Sequence, residues 1–379
     1  MRILNDTDEL TALLKGVVLL GTGGGGDPRR GSEQIAFDLA RERHYSIVSP
    51  SEVEDTACIV SGGFLGHMEL RDSWKTTLED WETFYELEIA VREMERLLGR
   101  RVDYMVPFEM GGGNTVAVLS CAARLGIPVI DGDGLGRAAP ETQMTSFVGH
   151  GISPTPMIFV DGDGGRVTVV DSNLFFPDEV GRFITTQKGR FIANCHYPMT
   201  GKQMKDSVIP GTISRAIHIG SWIMSAVGRA TSLVKVLADQ LGGAVLTEGT
   251  VASVSEKTEG GFFWGEAVLQ GDQEYEGRDV RLVLKNEVMM AEFNSQPIAV
   301  FPDHLYLVQP DTGEGVLTRY LKKGAKVGLI GEACHPRLRK AALSEIGKAA
   351  FSSLRYHMDV PYRPIEELLA ENISEGVSG

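Results

Sequence analysis

Short apolar strands alternate with helical stretches over the first 160 residues of the chain. Residues 102–106 and 127–130 have the apolar pattern of buried strands, and residues 115–125 between them have the small and apolar side chains of a buried helix. A strand pattern followed by a helical stretch also occurs before residue 100. The pattern predicts an α/β fold in which residues 1–160 form a three-layer α/β domain with a mostly parallel sheet.

The pattern changes after residue 160. Residues 157–170 contain two strand segments around an acid-glycine turn, which is typical of a hairpin. Between 244 and 330, alternating segments are separated by glycine turns, as in a small barrel or sandwich. A stretch rich in small residues near 212–241 fits a long, buried crossover helix. We therefore predict that residues 161–379 form a β-rich domain that carries this helix.

Length, charge and cysteine content narrow the class of protein. The 379 residues are enough for two domains that each bury a core. The net charge of −14, without a long acidic run, disfavours binding to nucleic acid and to anionic membranes. No apolar run approaches a membrane span, and the four cysteines contain no CxxC pair. We expect a soluble, unexported cytoplasmic protein with reduced thiols that forms a homo-oligomer.

Glycines and an acid follow the strand at residues 102–106. Glu109 comes at the end of this strand, and Gly111, Gly112 and Gly113 lie before the next predicted helix. Glycine permits close approach of the backbone to a ligand, and the first N–H groups of a helix can bind an anion. Asn114 is the expected N-cap. This loop is a candidate substrate-binding segment.

The next predicted strand ends at Asp131 and Asp133, and Arg137 and Glu141 follow on an expected helix. Because the carboxyl ends of neighbouring parallel strands meet at one sheet edge, we expect these acids and Glu109 to face one crevice with Arg137. The alternative is a tight turn at 131–134 and an i,i+4 surface pair between Arg137 and Glu141.

A glycine-rich loop covers residues 21–26. Such a loop can hold a phosphate or carboxylate. It follows a predicted helix rather than a strand, however, and it lacks the Gly-Lys-Ser/Thr sequence of a P-loop. Nucleotide binding is therefore disfavoured, and a tightly turned surface loop is the alternative.

Cys195 and His196 are an adjacent cysteine-histidine pair that could bind a metal. Neighbouring residues of a strand point to opposite faces, so both could bind one metal only if the backbone bends, which Tyr197 and Pro198 permit. The alternative is a core thiol beside a partly buried imidazole. HExxH and Gly-x-Ser-x-Gly motifs are absent, so neither a zinc protease nor a serine hydrolase is indicated.

Four segments, at residues 20–28, 107–114, 131–144 and 197–201, occur in an order and spacing that resemble the S-methyl thiohydantoin desulfurase family. Asn286-Glu287, Pro302-Asp303 and residues 311–313 resemble the C-terminal domain of that family. The chain departs from the family pattern at Gly66-His67 and at Cys195-His196, which would fit a different substrate.

The resemblance implies an α/β domain joined to a β-rich domain, and a hydrolase that acts on a thiohydantoin or hydantoin-like ring. In this reading, water attacks C2 of the ring and expels sulfide or methanethiol. A divalent metal, with zinc as the first candidate, would activate the water. Glu109, Asp131 and Asp133 are its expected ligands, with Cys195 and His196 as the alternative set. Without a metal, one of the three acids must act as the general base.

The remaining candidate residues bind the ring substrate in this hypothesis. Arg137 pairs with a substrate carboxylate or with the developing anion, supported by the N–H groups of residues 111–114. Glu141 orients Arg137, and Asn286 and Glu287 reach in from the second domain.

Two other classes of function fit the same motifs. One is a non-catalytic small-molecule sensor or accessory subunit that binds the ring without turnover. The other is an ATP-assisted, hydantoinase-like enzyme that uses the loop at residues 21–26. Nucleotide-dependent turnover would separate the latter from simple hydrolysis.

Overall fold

The computed structural model describes residues 1–66, 76–226, 228 and 232–376, and gives no side chains for residues 372–376. His67, one of the departures from the family pattern, lies outside the described residues.

An eight-stranded sheet dominates the first half of the chain, with the strand order β1-β2-β5-β4-β3-β9-β7-β8. Its strands are β1 (Arg2–Leu4), β2 (Tyr45–Val48), β3 (Cys58–Leu65), β4 (Tyr104–Pro107), β5 (Val129–Ile130), β7 (Met157–Asp161), β8 (Arg166–Val169) and β9 (Ile192–Thr200). The short strand β6 (Gly132–Asp133) pairs instead with β10 (Ile209–Pro210).

The eight-stranded sheet is mixed rather than mostly parallel. Strands β2, β5, β4 and β3 pair in parallel, whereas β1, β9, β7 and β8 all join by antiparallel pairing. The predicted hairpin around residues 161–165 is confirmed as β7 and β8, and a tight turn of this kind can join only antiparallel strands. Strands β7 to β9 extend this sheet past residue 160, where the sequence pattern places a domain limit.

Alternate residues of the central strands enter two different hydrophobic clusters. On β3, Cys58 and Val60 belong to one cluster and Ile59 to the other. On β4, Met105 and Val106 divide in the same way. Both faces of the parallel region are therefore covered, as is usual for parallel sheets.

Twelve helices lie in the described residues. They are α1 (Thr7–Leu20), α2 (Pro28–Leu39), α3 (Glu86–Leu98), α4 (Asn114–Leu125), α5 (Ser146–Gly149), α6 (Phe176–Lys188), α7 (Gly201–Ser207), α8 (Thr212–Ala226), α9 (Leu233–Leu241), α10 (Pro336–Leu343), α11 (Glu345–Ala350) and α12 (Ile365–Gly376). None of the described helices combines the length and apolar character needed to cross a bilayer.

Two helix predictions were wrong. The stretch near 212–241 contains two separate helices, α8 and α9, rather than one. The helix expected to carry Arg137 and Glu141 is an irregular loop up to α5. Pro140 and the glycines before it disfavour a continuous helix there.

The small residues of α8 allow it to pack closely against α1. A Cβ atom on Gly220 would overlap the carbonyl oxygen of Ala12, and one on Gly16 would overlap that of Ala216. The two backbones therefore approach more closely than any larger side chain would permit.

A seven-stranded antiparallel sheet forms most of the second half, in the order β15-β14-β13-β12-β11-β17-β16. Its strands are β11 (Ala244–Glu259), β12 (Phe262–Gly271), β13 (Val280–Lys285), β14 (Glu287–Phe293), β15 (Gln296–Val300), β16 (His304–Val308) and β17 (Lys326–Glu332). The β-rich character predicted between residues 244 and 330 is confirmed. This sheet has its own hydrophobic cluster, which includes Leu246, Leu282 and Leu329.

Candidate functional site

A cavity lies where the first sheet meets the start of β14 in the second. The space between its lining residues is about 1040 Å³, including the part that is open to solvent. Its walls come from the loop after α1, the end of β3, the loop between β4 and α4, the loop before α5, α6 and β9. Asn286, Glu287 and Arg319 complete it from the second half of the chain.

Two glycine-rich loops, the first at residues 21–26 and the second at residues 111–113, pack backbone to backbone beside the cavity. A Cβ atom on Gly25 would overlap Gly111, and one on Gly111 would overlap Gly25. Gly113 N and Asn114 N donate hydrogen bonds to the Gly25 carbonyl oxygen, at 3.0 and 3.2 Å. Gly111 N donates to Thr115 Oγ1. These N–H groups are therefore occupied within the protein, which corrects the expectation that they serve as donors to an anion. The first loop thus packs against the start of α4. Of the three glycines of the second loop, Gly113 lines the cavity and Gly111 and Gly112 do not.

Asn114 has a different role from the expected N-cap. The N-cap of α4 is Gly113, and Asn114 is the first helical residue. Its Oδ1 accepts from Phe64 N at 2.9 Å, and its Nδ2 donates to Glu109 Oε1 at 2.9 Å. Asn114 therefore fixes Glu109 against the end of β3.

Glu109 lies on the cavity wall and is buried. Its Oε1 accepts from Asn114, and its Oε2 accepts from Ala139 N at 3.0 Å. Burial raises the pKa of Glu109 to about 7, against the smaller opposing effect of these hydrogen bonds. A carboxyl group that ionises near neutral pH is suited to general acid–base catalysis.

Glu287 is a second buried acid on the same cavity. Asn286, with φ of 55°, reverses the chain between β13 and β14 and leaves Glu287 at the cavity. Burial, and then the charge of Glu109, raise the pKa of Glu287 to about 8. Its Oε2 has no hydrogen-bond partner in the described part of the chain. A Cβ atom on Gly24 would overlap Oε1, so Glu287 packs directly on the first glycine loop.

Strand β9 separates Cys195 from His196. His196 lines the cavity, whereas Cys195 belongs to the hydrophobic cluster on the opposite face. Burial raises the pKa of the Cys195 thiol well above its usual range, and lowers the pKa of His196 to about 3. The backbone bends only after the pair, at Tyr197 with φ of 50°. The core-thiol alternative therefore describes Cys195, and the two side chains do not converge on one metal.

Asp131 and Asp133 do not line the cavity, so the expectation of three acids in one crevice is corrected. Asp131 accepts from Ser214 N and Oγ, at 3.0 and 2.6 Å, in the first turn of α8. Asp133 is buried and accepts from Leu135 N and Gly136 N in the turn after β6. Burial raises the pKa of Asp133 to about 8. Residues 131 and 133 follow β5 into a segment where β6 pairs with β10. Asp133 is still close enough to Glu109 for the charge of Glu109 to raise its pKa, although it does not line the cavity.

Arg137 is fully buried and connects the two halves of the chain instead of lining the cavity. It donates to the carbonyl oxygens of Asp303 and Val288, at 2.6 and 2.9 Å, and lies 4.8 Å from the Phe301 ring centre. Glu141 does not orient it, because Glu141 pairs with Lys285 and Arg355. Glu141 does reach the cavity wall.

Several cavity residues carry no local sequence signal. Arg182, on α6, donates to the carbonyl oxygens of Gly66 and Gly261, at 3.2 and 3.1 Å. Arg319 lies 3.3 Å from Asp27 Oδ2. Asn194 was missed as well, although its position two residues before His196 on a strand places both on one face.

The residues that the sequence predicts as metal ligands do not form a common metal site. Among residues 1–66, 76–226, 228 and 232–376, no three His, Cys, Asp or Glu side chains are grouped closely enough to hold a metal ion. Both oxygens of Glu109 accept hydrogen bonds from the protein, and Asp131 and Asp133 are turned to other partners. The chemistry derived below therefore uses no metal-dependent step.

The fold and the site define a chain of two units, one α/β and one antiparallel β, with a cavity built by both. Residues 8–171 match the N-terminal domain of the S-Me-THD-like family, and residues 172–365 match its C-terminal domain. The chain therefore belongs to the S-Me-THD-like family, which confirms the resemblance inferred from its motifs.

One solved structure supports the fold. The crystal structure of a protein from Chromobacterium violaceum, a structural genomics target, superposes with a TM-score of 0.75 at 23% identity. The match covers 96% of this chain and 100% of that one. At this identity the similarity concerns the fold alone. A search of curated proteins finds no match.

Proposed function

We propose that this protein hydrolyses a thiohydantoin-like ring and releases methanethiol or sulfide. Membership of the S-Me-THD-like family supports thiohydantoin-related chemistry. The observation that carries the proposal is the pair of buried carboxyl groups, Glu109 and Glu287, whose pKa values of about 7 and about 8 bracket physiological pH. Two acids with separated pKa values can divide the roles of base and acid between them.

In the proposed reaction, ionised Glu109 removes a proton from water as the water oxygen bonds to C2 of the ring. The C2=N double bond of an S-methyl substrate, or the C2=S double bond of a thione, opens at the same time, and its electron pair moves to nitrogen or sulfur. Protonated Glu287 donates its proton to sulfur as the C2–S bond breaks. The new C2 hydroxyl loses its proton when the C2=O bond forms, and this proton restores Glu287. Glu109 returns its proton to the ring nitrogen when methanethiol leaves, or to hydrosulfide when a C2=S group is the substrate. No covalent enzyme intermediate is required.

The rest of the cavity suits a small ring. Trp81, Phe64 and Phe108 give it apolar walls, which exclude water and strengthen the hydrogen bonds to Glu109 and Glu287. Arg319 has the role that the sequence assigned to Arg137, since it lies on the cavity wall and can face an anionic group on the substrate.

A sulfur-release screen over substituted thiohydantoins tests the proposal. The wild-type chain is expected to release sulfide or methanethiol, and Glu109→Gln is expected to lower kcat by about 10²- to 10⁴-fold. Asp131→Asn, outside the cavity, is expected to retain turnover. Ring binding without sulfur release would instead favour the sensor or accessory subunit. Loss of turnover in Asp131→Asn would favour the acid triad inferred from the sequence.

The dependence on a divalent metal that the sequence predicts is an alternative to the general-base mechanism and is tested separately. Metal analysis of the purified protein, followed by chelation and an assay of sulfur release, tests it. An unchanged rate in the metal-stripped protein would leave Glu109 as the base.

A further inference from the structure

Asn194 and His196 form a polar pair on one face of β9. They are two residues apart on a strand, so their side chains point the same way, and both line the cavity. Strand β3 runs beside them, with Gly63 opposite Asn194 and Ser61 opposite His196. A Cβ atom on Gly63 would lie 3.1 Å from Asn114 Oδ1, so the Asn114 side chain of the cavity wall packs against this part of β3.

The polar atoms of this pair are buried and lack partners. Asn194 is 4% exposed and His196 is 1% exposed. Neither Asn194 Oδ1 nor either ring nitrogen of His196 has a hydrogen-bond partner within the described chain. Buried polar side chains are almost always hydrogen-bonded in folded proteins. Three unpartnered atoms on one cavity wall therefore point to a ligand that supplies the missing partners.

The chemistry of the two side chains limits what this ligand can be. An amide oxygen only accepts, so Asn194 Oδ1 requires an N–H or O–H group. A neutral imidazole has one N–H donor and one acceptor nitrogen, so His196 can donate to a carbonyl oxygen. The Phe108 ring, with its centre 5.5 Å from that of His196, limits the movement of the imidazole.

We propose that Asn194 and His196 recognise an N–H group and an adjacent C=O group on the edge of a five-membered cyclic ureide. Asn194 Oδ1 accepts from the ring N–H, and the His196 N–H donates to the neighbouring carbonyl oxygen. The ring class rests on the proposed function, whereas the need for a donor next to an acceptor follows from the cavity wall. The pair positions the ring and selects for it, without taking part in bond breaking.

Calorimetry with hydantoin and its N-methyl derivatives tests this inference apart from catalysis. Hydantoin, which has the N–H and C=O edge but no sulfur, is expected to bind the wild-type chain. Methylation at N3, between the two carbonyl groups, is expected to weaken binding about 10- to 100-fold because it leaves Asn194 Oδ1 unpartnered. Methylation at N1 is expected to have a smaller effect.

Substitutions on β9 complete the test. Asn194→Leu and His196→Leu are each expected to weaken hydantoin binding about 10- to 100-fold. In Asn194→Leu, methylation at N3 should cause no further loss, since the hydrogen bond is already absent. His196→Gln, which keeps a donor, is expected to recover part of the affinity. Cys195→Ala, on the opposite face of the same strand, is the control and should bind hydantoin as the wild type does.

Each outcome of these binding experiments either supports or overturns the inference. Equal binding of hydantoin and its N3-methyl derivative, or full affinity in both leucine variants, would overturn it, even if sulfur release were intact. Failure of the wild-type chain to bind hydantoin would overturn it as well. The expected binding pattern without sulfur release would support the ring-edge contact and reject the proposed hydrolysis. If a leucine variant does not fold, the methylated ligands remove the same hydrogen bond without a change in the protein.

Discussion

At the scale of single residues, the two cavity acids differ in the hydrogen bonds they receive. Both oxygens of Glu109 accept from the protein, whereas Oε2 of Glu287 has no partner in the described residues. Hydrogen bonds to a carboxylate stabilise its charged form. In the proposed mechanism, Glu109 therefore ionises first and is the base, whereas Glu287 keeps its proton and is the acid.

This order of ionisation predicts the pH profile of catalysis. The value of kcat/KM should rise as Glu109 ionises, with a pKa of about 7, and fall as Glu287 loses its proton, with a pKa of about 8. A narrow bell-shaped profile is expected from sulfur-release rates measured across both values. Glu287→Gln should remove the alkaline limb. An unchanged alkaline limb in that variant would exclude Glu287 as the acid.

Glu287 should make the protein less stable as pH rises, whereas a salt-bridged acid makes a protein more stable as pH rises. Glu287 has a pKa of about 8 in the folded chain, above its ordinary value of 4.5. Below pH 4.5 the Glu287 carboxyl is protonated in both the folded and the unfolded chain, so it does not change the free energy of unfolding. Between pH 4.5 and 8 it ionises in the unfolded chain but stays protonated in the folded one, so the free energy of unfolding falls as pH rises. Glu287→Gln should raise the free energy of unfolding at pH 8 by about 2–4 kcal/mol, with little change near pH 4.

Urea denaturation at both pH values measures this effect. Glu256→Gln, at an exposed position of β11, is the control and should leave the pH dependence as it is. A variant at position 287 with the same pH dependence as the wild type would show that Glu287 titrates normally in the folded chain.

At the scale of elements, the contact between α1 and α8 depends on glycine. Gly220→Ala should destabilise the protein by about 2–4 kcal/mol, because its Cβ would meet the Ala12 carbonyl oxygen. Alanine favours the helix by only about 1 kcal/mol, which is too little to compensate. Ser221→Ala, at the next and exposed position of α8, isolates the propensity effect. Equal stability of the two variants in denaturant unfolding would contradict close packing as the reason for Gly220.

Elements with a local signal were predictable from the sequence. The strands β4 and β5 with α4 between them, and the hairpin of β7 and β8, follow from periodicity and turn residues over short stretches. The loop at residues 134–145 was mistaken for a helix because Arg137 and Glu141 have helical spacing, whereas their partners lie far away in the chain. Spacing gives no information about such distant contacts.

The residues of the candidate site were likewise predictable only where the sequence around them carries a local signal. Glu109 and Asn114 were found because they stand beside glycines after a predicted strand, and Glu287 because its segment resembles the C-terminal domain of the family. Arg182 and His196 become cavity residues only through the pairing of β9 with β3 and the position of α6, neither of which is local.

At the scale of the whole molecule, Arg137 joins the two sheets. Arg137→Ala should destabilise the protein by about 3–5 kcal/mol, since it leaves the carbonyl oxygens of Val288 and Asp303 without a buried donor. Denaturant unfolding measures the loss. Arg363→Ala, at a partly exposed position, should change stability by less than about 0.5 kcal/mol. A stable Arg137→Ala variant with weakened substrate affinity alone would return Arg137 to the anchoring role inferred from the sequence.

The position of strand β9 in the sheet affects the chain while it is still being synthesised. This strand pairs with β3 on one side and β7 on the other, yet it comes from the part of the chain that matches the C-terminal family domain. A nascent chain that ends at residue 171 therefore has β3 as an open edge and the hairpin of β7 and β8 without its neighbour. Open edges of this kind pair with other chains. A fragment of residues 1–171 is expected to aggregate on expression, because β3 and β7 gain the strand that lies between them only when β9 emerges from the ribosome.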